Sequence, residues 1–177
     1  MRLNRLFSPR PSALAGRRLY TAAVAQARTP AFYARMGAAD SVEGRFEVYT
    51  LHVVLLLRRF KGQGSAAAEI SQALFDTYIR ALDDALREMG VGDLAVGKKM
   101  RKLGEAFYGR TKHYDEALSA LPDEGPLTAV IGRTIMMGHT EGAAAFVDYA
   151  VRAAADLQSQ PLDSLLEGSA SWPTITA

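Results

Sequence analysis

Between residues 45 and 61, Phe46, Tyr49, Val53, Leu57 and Phe60 recur at steps of three and four. Residues 53–57 form an unbroken apolar run that would by itself suit a buried strand. The longer 3.6-residue register around it favours a helix buried on several sides. Gly62-Gln63-Gly64 ends that helix, and Ser65 is placed to cap the next. The second helix should run to Met89, with Ile70, Leu74, Tyr78, Ala81, Leu82 and Ala85 on its apolar side. Asp76 with Arg80, and Asp83 with Arg87, are i,i+4 pairs on its solvated faces. Gly90 supplies the stop, Val91-Gly92 a tight connection, and Asp93 a cap for the helix that follows.

In that third helix Val96, Met100, Leu103 and Phe107 make one apolar stripe, and the register continues through Arg110, Tyr114, Leu118 and Leu121. One long helix is expected, with Gly104 or Gly109 as possible kink points and an end before Pro122. Pro126 opens a further helix to about Met137. Thr140 is placed to cap a last long one through Ala143, Val147, Val151 and Ala154, and Pro161 breaks it before a short turn at Leu162, Leu165 and Leu166. Toward the N-terminus, Tyr20, Ala23, Val24 and Ala27 follow helical spacing after the breaker Ser8-Pro9-Arg10-Pro11, and Thr29-Pro30 suits a short restart that stops at Gly37. No alternating strand segment emerges. The expected fold is all-α, a compact single-domain bundle of roughly six to eight helices with no sheet.

Composition narrows what such a bundle can do. The 177 residues contain no cysteine, which excludes disulfides, thiolate metal sites and cysteine nucleophiles. The longest apolar run falls far short of the roughly 20 residues of a membrane-spanning helix. Residues 1–39 hold seven arginines and no acid, whereas the rest of the chain holds 14 basic residues against 19 acidic ones. A basic arm on an acidic body points to an anionic partner, and a mitochondrial transit segment is the competing reading. The division is therefore a basic arm at 1–12, a helical domain at 13–172 and a tail at 173–177. Arg2, Arg5 and Arg10 with Leu3, Leu6 and Phe7 make the arm either a weak membrane-surface anchor or a disordered end.

Catalytic signatures do not emerge. His52, His113 and His139 fit no metal-ligand spacing, and neither a phosphate-binding loop nor a nucleophile elbow is present. His52 sits in the most apolar helix, where a hydrogen-bonded core histidine is the expected role and haem or metal ligation the sharper alternative. No catalytic, cofactor-binding or metal-binding residue is assigned, and no enzymatic activity is expected. The cluster Lys98, Lys99, Arg101 and Lys102 is either a solvated helix face or a surface for ribosomal RNA, an anionic lipid surface or an acidic partner. Arg110 interrupts an apolar stripe. It either meets a carboxylate or escapes to water where Gly109 breaks the register.

Two strings carry a more specific signal. One is Gly44-Arg45-Phe46 leading into Leu51-His52-Val53-Val54-Leu55-Leu56-Leu57-Arg58-Arg59. The other is Leu86-Arg87-Glu88-Met89-Gly90-Val91-Gly92-Asp93, followed by Val96-Gly97-Lys98 and Ala106-Phe107-Tyr108-Gly109-Arg110. Together they resemble the ubiquinol–cytochrome c chaperone family, most strongly over residues 45–114 and more weakly out to Trp172-Pro173. The resemblance implies an all-helical, non-enzymatic factor that helps assemble the cytochrome bc complex. Its implied partners are newly made cytochrome b or another subunit, with contacts to the ribosome and to the inner membrane as further expectations, and no DNA. The short N-terminus suggests the bacterial, cytoplasmic form over one in the mitochondrial matrix. The expected partner-binding surface comprises Gly92, Asp93, Lys98, Lys99, Arg101, Lys102 and Arg110. The alternative is a ribosome- or RNA-binding helical module that uses the arm and the Lys98 cluster.

Overall fold

The computed structural model describes residues 10–139 and 142–175. Most of the basic arm and the Thr140 cap lie outside these residues. Eight helices form among the described residues: α1 Pro11–Ala27, α2 Ala31–Ala34, α3 Val42–Phe60, α4 Ser65–Glu88, α5 Asp93–Ser119, α6 Gly125–Arg133, α7 Ala143–Ser159 and α8 Leu162–Leu166. No strand occurs among them.

The apolar run of α3 becomes the axis of the bundle. Leu51, Val53, Val54, Leu55 and Leu56 are all buried, so this helix is covered on every side rather than along one stripe. Helices α1, α4, α5 and α7 surround it. Its start is fixed by Ser41, whose Oγ accepts the Gly44 N–H at 3.1 Å, an N-cap bond that satisfies one of the orphan amides. Glycine at 44 also matters sterically, because a Cβ there would stand 2.0 Å from the Ala39 carbonyl oxygen. At the other end of the bundle α3 caps a neighbour: Arg59 Nε donates to Leu157 O at 2.9 Å, at the last turn of α7.

Helix α1 presents four small residues, Ala15, Gly16, Ala23 and Ala27, and Leu19 to the core. They let it lie close against α4. A Cβ at Gly16 would meet the Ala73 backbone carbonyl carbon at 2.7 Å, so the crossing point admits no side chain. Past α8 the chain returns across the bundle. Arg18 donates to Glu167 O, Gln26 to Pro173 O, and Gln160 exchanges hydrogen bonds with Ser171, which seats Trp172 against the His52 ring at 4.8 Å.

Several local expectations change. Ser65 is not the cap of α4: Gly64 occupies that position, as Pro30 does for α2, and neither end has a side-chain cap bond. Asp76 accepts from Gln72 at 2.7 Å, whereas Asp83–Arg87 forms as expected at 2.6 Å. Helix α6 ends at Arg133, four residues before Met137: Thr134 leaves the helical region with φ −98° and ψ −81°, and Met137 and Gly138 then turn the chain with φ 52° and 96°. Gly104 and Gly109 do not interrupt α5, which continues for 27 residues, or ~40 Å.

Candidate functional site

The corner between α4 and α5 is built by one glycine rather than two. Gly90 takes φ 79°, the left-handed conformation that a side chain disfavours. Its N–H donates to Arg87 O at 2.9 Å, and the Val91 N–H reaches back to Leu86 O at 3.0 Å, which closes the end of α4 as a Schellman motif. Gly92, by contrast, has φ −65° and ψ 152°, ordinary extended backbone. It is Gly92, not Asp93, that occupies the N-cap of α5, and no side chain caps that end. Asp93 is the first helical residue. There its charge favours the positive end of the helix dipole, and its carboxylate holds Arg87 Nη1 at 2.5 Å. With Asp83 on the same guanidinium, the two hydrogen-bonded carboxylates raise the Arg87 pKa further and tie the two helices across the turn.

Beyond the corner, α5 is divided by the helical period. Val96, Phe107, Tyr114 and Leu118 are buried, and Phe107 lies 4.7 Å from the Tyr78 ring of α4. Lys98, Lys99, Arg101 and Lys102 are exposed on the remaining faces. The cations thus stand on a helix that its own core fixes, so their spacing is rigid even where their side chains move. Apolar groups unforeseen from sequence stand beside them. Leu94 is 101% exposed, as free as in an extended chain, and Met89 on the other limb of the corner is 56% exposed. Large apolar side chains held out to solvent next to cations suit a surface that meets an amphipathic partner.

Arg110 meets a carboxylate. Its Nε donates to Glu47 Oε1 and Oε2 at 3.2 and 3.1 Å, and its Nη2 also donates to Oε1. The alternative, in which Gly109 breaks the register and frees it to water, is set aside, since α5 does not break there. The hydrogen bond to Glu47 raises the guanidinium pKa against the opposing effect of burial. Glu47 itself is only 6% exposed and was missed from the sequence. A signal was present: Glu47 lies on the same i,i+4 row as Leu51 and Leu55, an acid in a buried register of α3 opposite a base in a buried register of α5. The ion pair floors a cleft of about 910 Å³ bounded by the end of α1, the start of α3, the end of α4 and the start of α5. Phe46, Tyr49 and Leu82 line its interior, while Met89 and Lys99 belong to both the cleft and the corner. The structure therefore brings Lys99 and Arg110 to one cleft. Lys98, Arg101, Lys102, Gly92 and Asp93 are not among the residues lining it.

His52 takes the core role. Its Nδ1 donates to Val48 O at 2.7 Å, so Nε2 accepts from the Tyr149 hydroxyl at 2.7 Å. That hydroxyl in turn accepts from Gln26 Nε2 at 3.1 Å. Both ring nitrogens are engaged, and burial pushes the imidazole down to about 4, which keeps it neutral. His113 and His139 are exposed.

Comparison with known proteins then bears on this geometry. The family model described as ubiquinol-cytochrome C chaperone matches residues 34–172, a span that holds α3, α4, α5, the corner and Trp172. Among curated proteins, ubiquinol-cytochrome-c reductase complex assembly factor 1 of Xenopus laevis is 25% identical over 123 residues, covering 70% of this chain and 60% of the relative. The human protein of the same name is 27% identical over 168 residues, covering 90% of this chain and 54% of the relative. The chain thus spans little more than half the length of these curated relatives. A crystal structure of the Cbp3 homolog from Brucella abortus is similar over 98% of this chain and 97% of that one, with a TM-score of 0.85 and 32% sequence identity.

Proposed function

The chain belongs to the ubiquinol-cytochrome C chaperone family, and from that premise we propose that it is an assembly chaperone for ubiquinol–cytochrome c reductase that binds newly made cytochrome b and catalyses no reaction. The observation that carries this reading is the family match over residues 34–172 together with relatives that are named as assembly factors of that complex. The α4–α5 corner is the working surface in this proposal. Its exposed Met89 and Leu94 offer apolar contact to a membrane-protein segment that has not yet been inserted or partnered. Lys98, Lys99, Arg101 and Lys102 attract the anionic surroundings in which such a segment emerges, whether lipid headgroups or ribosomal RNA. Arg110 acts from below, because its pair with Glu47 fixes the helix that carries the cations. The protein would work beside the membrane rather than across it: among the described residues no helix is long and apolar enough to span one.

Charge reversal at Lys98 and Lys102 tests the surface. Both residues are exposed, so K98E/K102E should leave the fold intact, within ~0.5 kcal/mol. In a strain deleted for the protein, the variant should fail to restore the haem-loaded cytochrome b that the wild type restores. Full complementation by a normally folded double variant would remove the corner from the mechanism. A ribosome- or RNA-binding module remains the competing class, and salt separates the two. Binding to RNA through several phosphate contacts falls steeply as salt rises, whereas contact through Met89 and Leu94 does not.

A further inference from the structure

The other flank of α5 borders a second groove, of about 790 Å³, that the corner does not use. Val54, Leu57 and Phe60 from the last turns of α3 form its floor with Phe75 and Phe107. One wall is low, because Gly64, Ala68 and Ser71 of the α4 start carry little bulk. The facing wall is Tyr108, 66% exposed. Phe75, Phe107 and Tyr108 pack into one aromatic cluster, with centroid separations of 5.3, 6.0 and 6.3 Å, and Tyr108 is its exposed member. A low wall lets a neighbouring element approach closely, and an aromatic face gives a protruding apolar side chain a surface to pack on.

The lip of this groove is positive. Arg58, Lys61 and Lys112 line it against a single acid, Asp115. Asp115 is already committed: it accepts from Arg58 Nη1, and its Oδ2 accepts from Lys61 at 2.7 Å, which draws its pKa down. Glu116 faces Lys112 only at 3.9 Å, with both side chains mostly exposed, so it neutralises the lip weakly. The cleft at the corner differs, since its lining balances Arg28, Arg45, Lys99 and Arg110 against Glu43, Glu47, Asp84 and Glu88.

From this pairing of an aromatic face with a cationic lip, we infer that the groove is a docking surface for an amphipathic α-helix of a partner protein, with apolar anchors packed between Leu57 and the Phe75–Tyr108 face and carboxylates facing Lys61 and Lys112. Helix-in-groove recognition needs these two parts: pockets for anchors spaced by one turn, and charge along the edge to fix orientation. Aromatic rings also favour branched and aromatic anchors over a bare acyl chain, because ring pairs gain from their geometry beyond area burial. The inference does not depend on which complex the chain serves, so it stands or falls apart from the assembly proposal.

Two synthetic helical peptides provide the test. Both carry Leu and Phe at the same i, i+3, i+4, i+7 positions, and their polar faces are all Glu in one and all Lys in the other. Binding to the full chain is read by fluorescence anisotropy, with backbone amide shifts locating the contact. The Glu peptide should bind at least about tenfold more tightly than the Lys peptide, with shifts at Leu57, Phe75 and Thr111. K61E/K112E should abolish that preference. Y108A should weaken the Glu peptide by about tenfold while circular dichroism reports an unchanged helical fold. Equal affinities, absence of binding by either peptide, or shifts confined to residues outside the groove would overturn the inference. So would binding only to phosphatidylglycerol-containing vesicles, which would make the groove a lipid site.

Discussion

Glu47 and Arg110 carry opposite charges into the seam between α3 and α5, where the carboxylate is nearly closed off from water and the guanidinium side chain keeps 30% of its surface. Removing the cation strands the anion. Arg110→Ala should cost about 2–3 kcal/mol in urea melts, less than a fully buried pair would lose because solvent already screens one partner. The double variant E47L/R110M should recover part of that loss, and a double loss equal to the sum of the separate E47L and R110M losses would mean that the pair does not interact. His52 sets a pH dependence of definite sign. Its imidazole titrates near 4 when folded and near 6.5 when unfolded, so the unfolded state binds the proton first as pH falls. Stability from this group is therefore complete above about pH 6.5 and declines by about 2 kcal/mol between there and pH 5. His52→Gln should flatten that slope in melts at pH 7.5, 6 and 5, and an identical slope would show that the ring is not held neutral in the core. Asp93 works the other way. As an expected cap it would have been worth ~1 kcal/mol. As an 88% exposed first-turn residue it should cost within about 0.5 kcal/mol on replacement by Ala.

At the scale of elements, burial of Phe107 ties α5 to α4. Phe107 packs on Phe75 at 5.3 Å and Tyr78 at 4.7 Å, and Phe107→Ala should cost ~3–5 kcal/mol by lost transfer energy and an unfilled cavity. A change below ~1 kcal/mol would mean that the stripe does not face the core. Gly16 tests the α1–α4 crossing. Gly16→Val places atoms against the Ala73 backbone, which cannot give way as a side-chain tip can, and should destabilise by about 1–3 kcal/mol. These elements were legible in sequence for a physical reason. Val96, Phe107, Tyr114 and Leu118 repeat at the helical period, and a long amphipathic helix writes its own register whatever it packs on. Cap chemistry was less legible. Ser65 and Asp93 are good caps by type, but Gly64 and Gly92 already satisfy the backbone geometry one residue earlier. Least legible was what depends on two helices at once: the Glu47–Arg110 pair, the Gly16 crossing, and the protrusion of Leu94 and Tyr108 are properties of packing, which no single register encodes.

The whole molecule is one helix, α3, wrapped by four others, with its chemistry displaced to the surface on either side of α5. Several buried polar groups pair with one another: His52 with Val48 and Tyr149, Thr50 with Tyr78, Tyr114 with Thr134. Such satisfied pairs rigidify a core rather than prepare it for reaction. What remains outward is a corner of cations with two apolar protrusions, a balanced cleft beneath it, and a positive groove on the far flank. That distribution suits a protein that holds others, in keeping with its family. The most direct measurement is the level of assembled ubiquinol–cytochrome c reductase in source cells lacking this protein, read by native gel and by the reduced-minus-oxidised spectrum of cytochrome b. An assembly chaperone predicts that the complex and its cytochrome b spectrum are lost in the deletion strain and return with the wild-type chain but not with K98E/K102E. A deletion strain with a normal complex and a normal cytochrome b spectrum would contradict it.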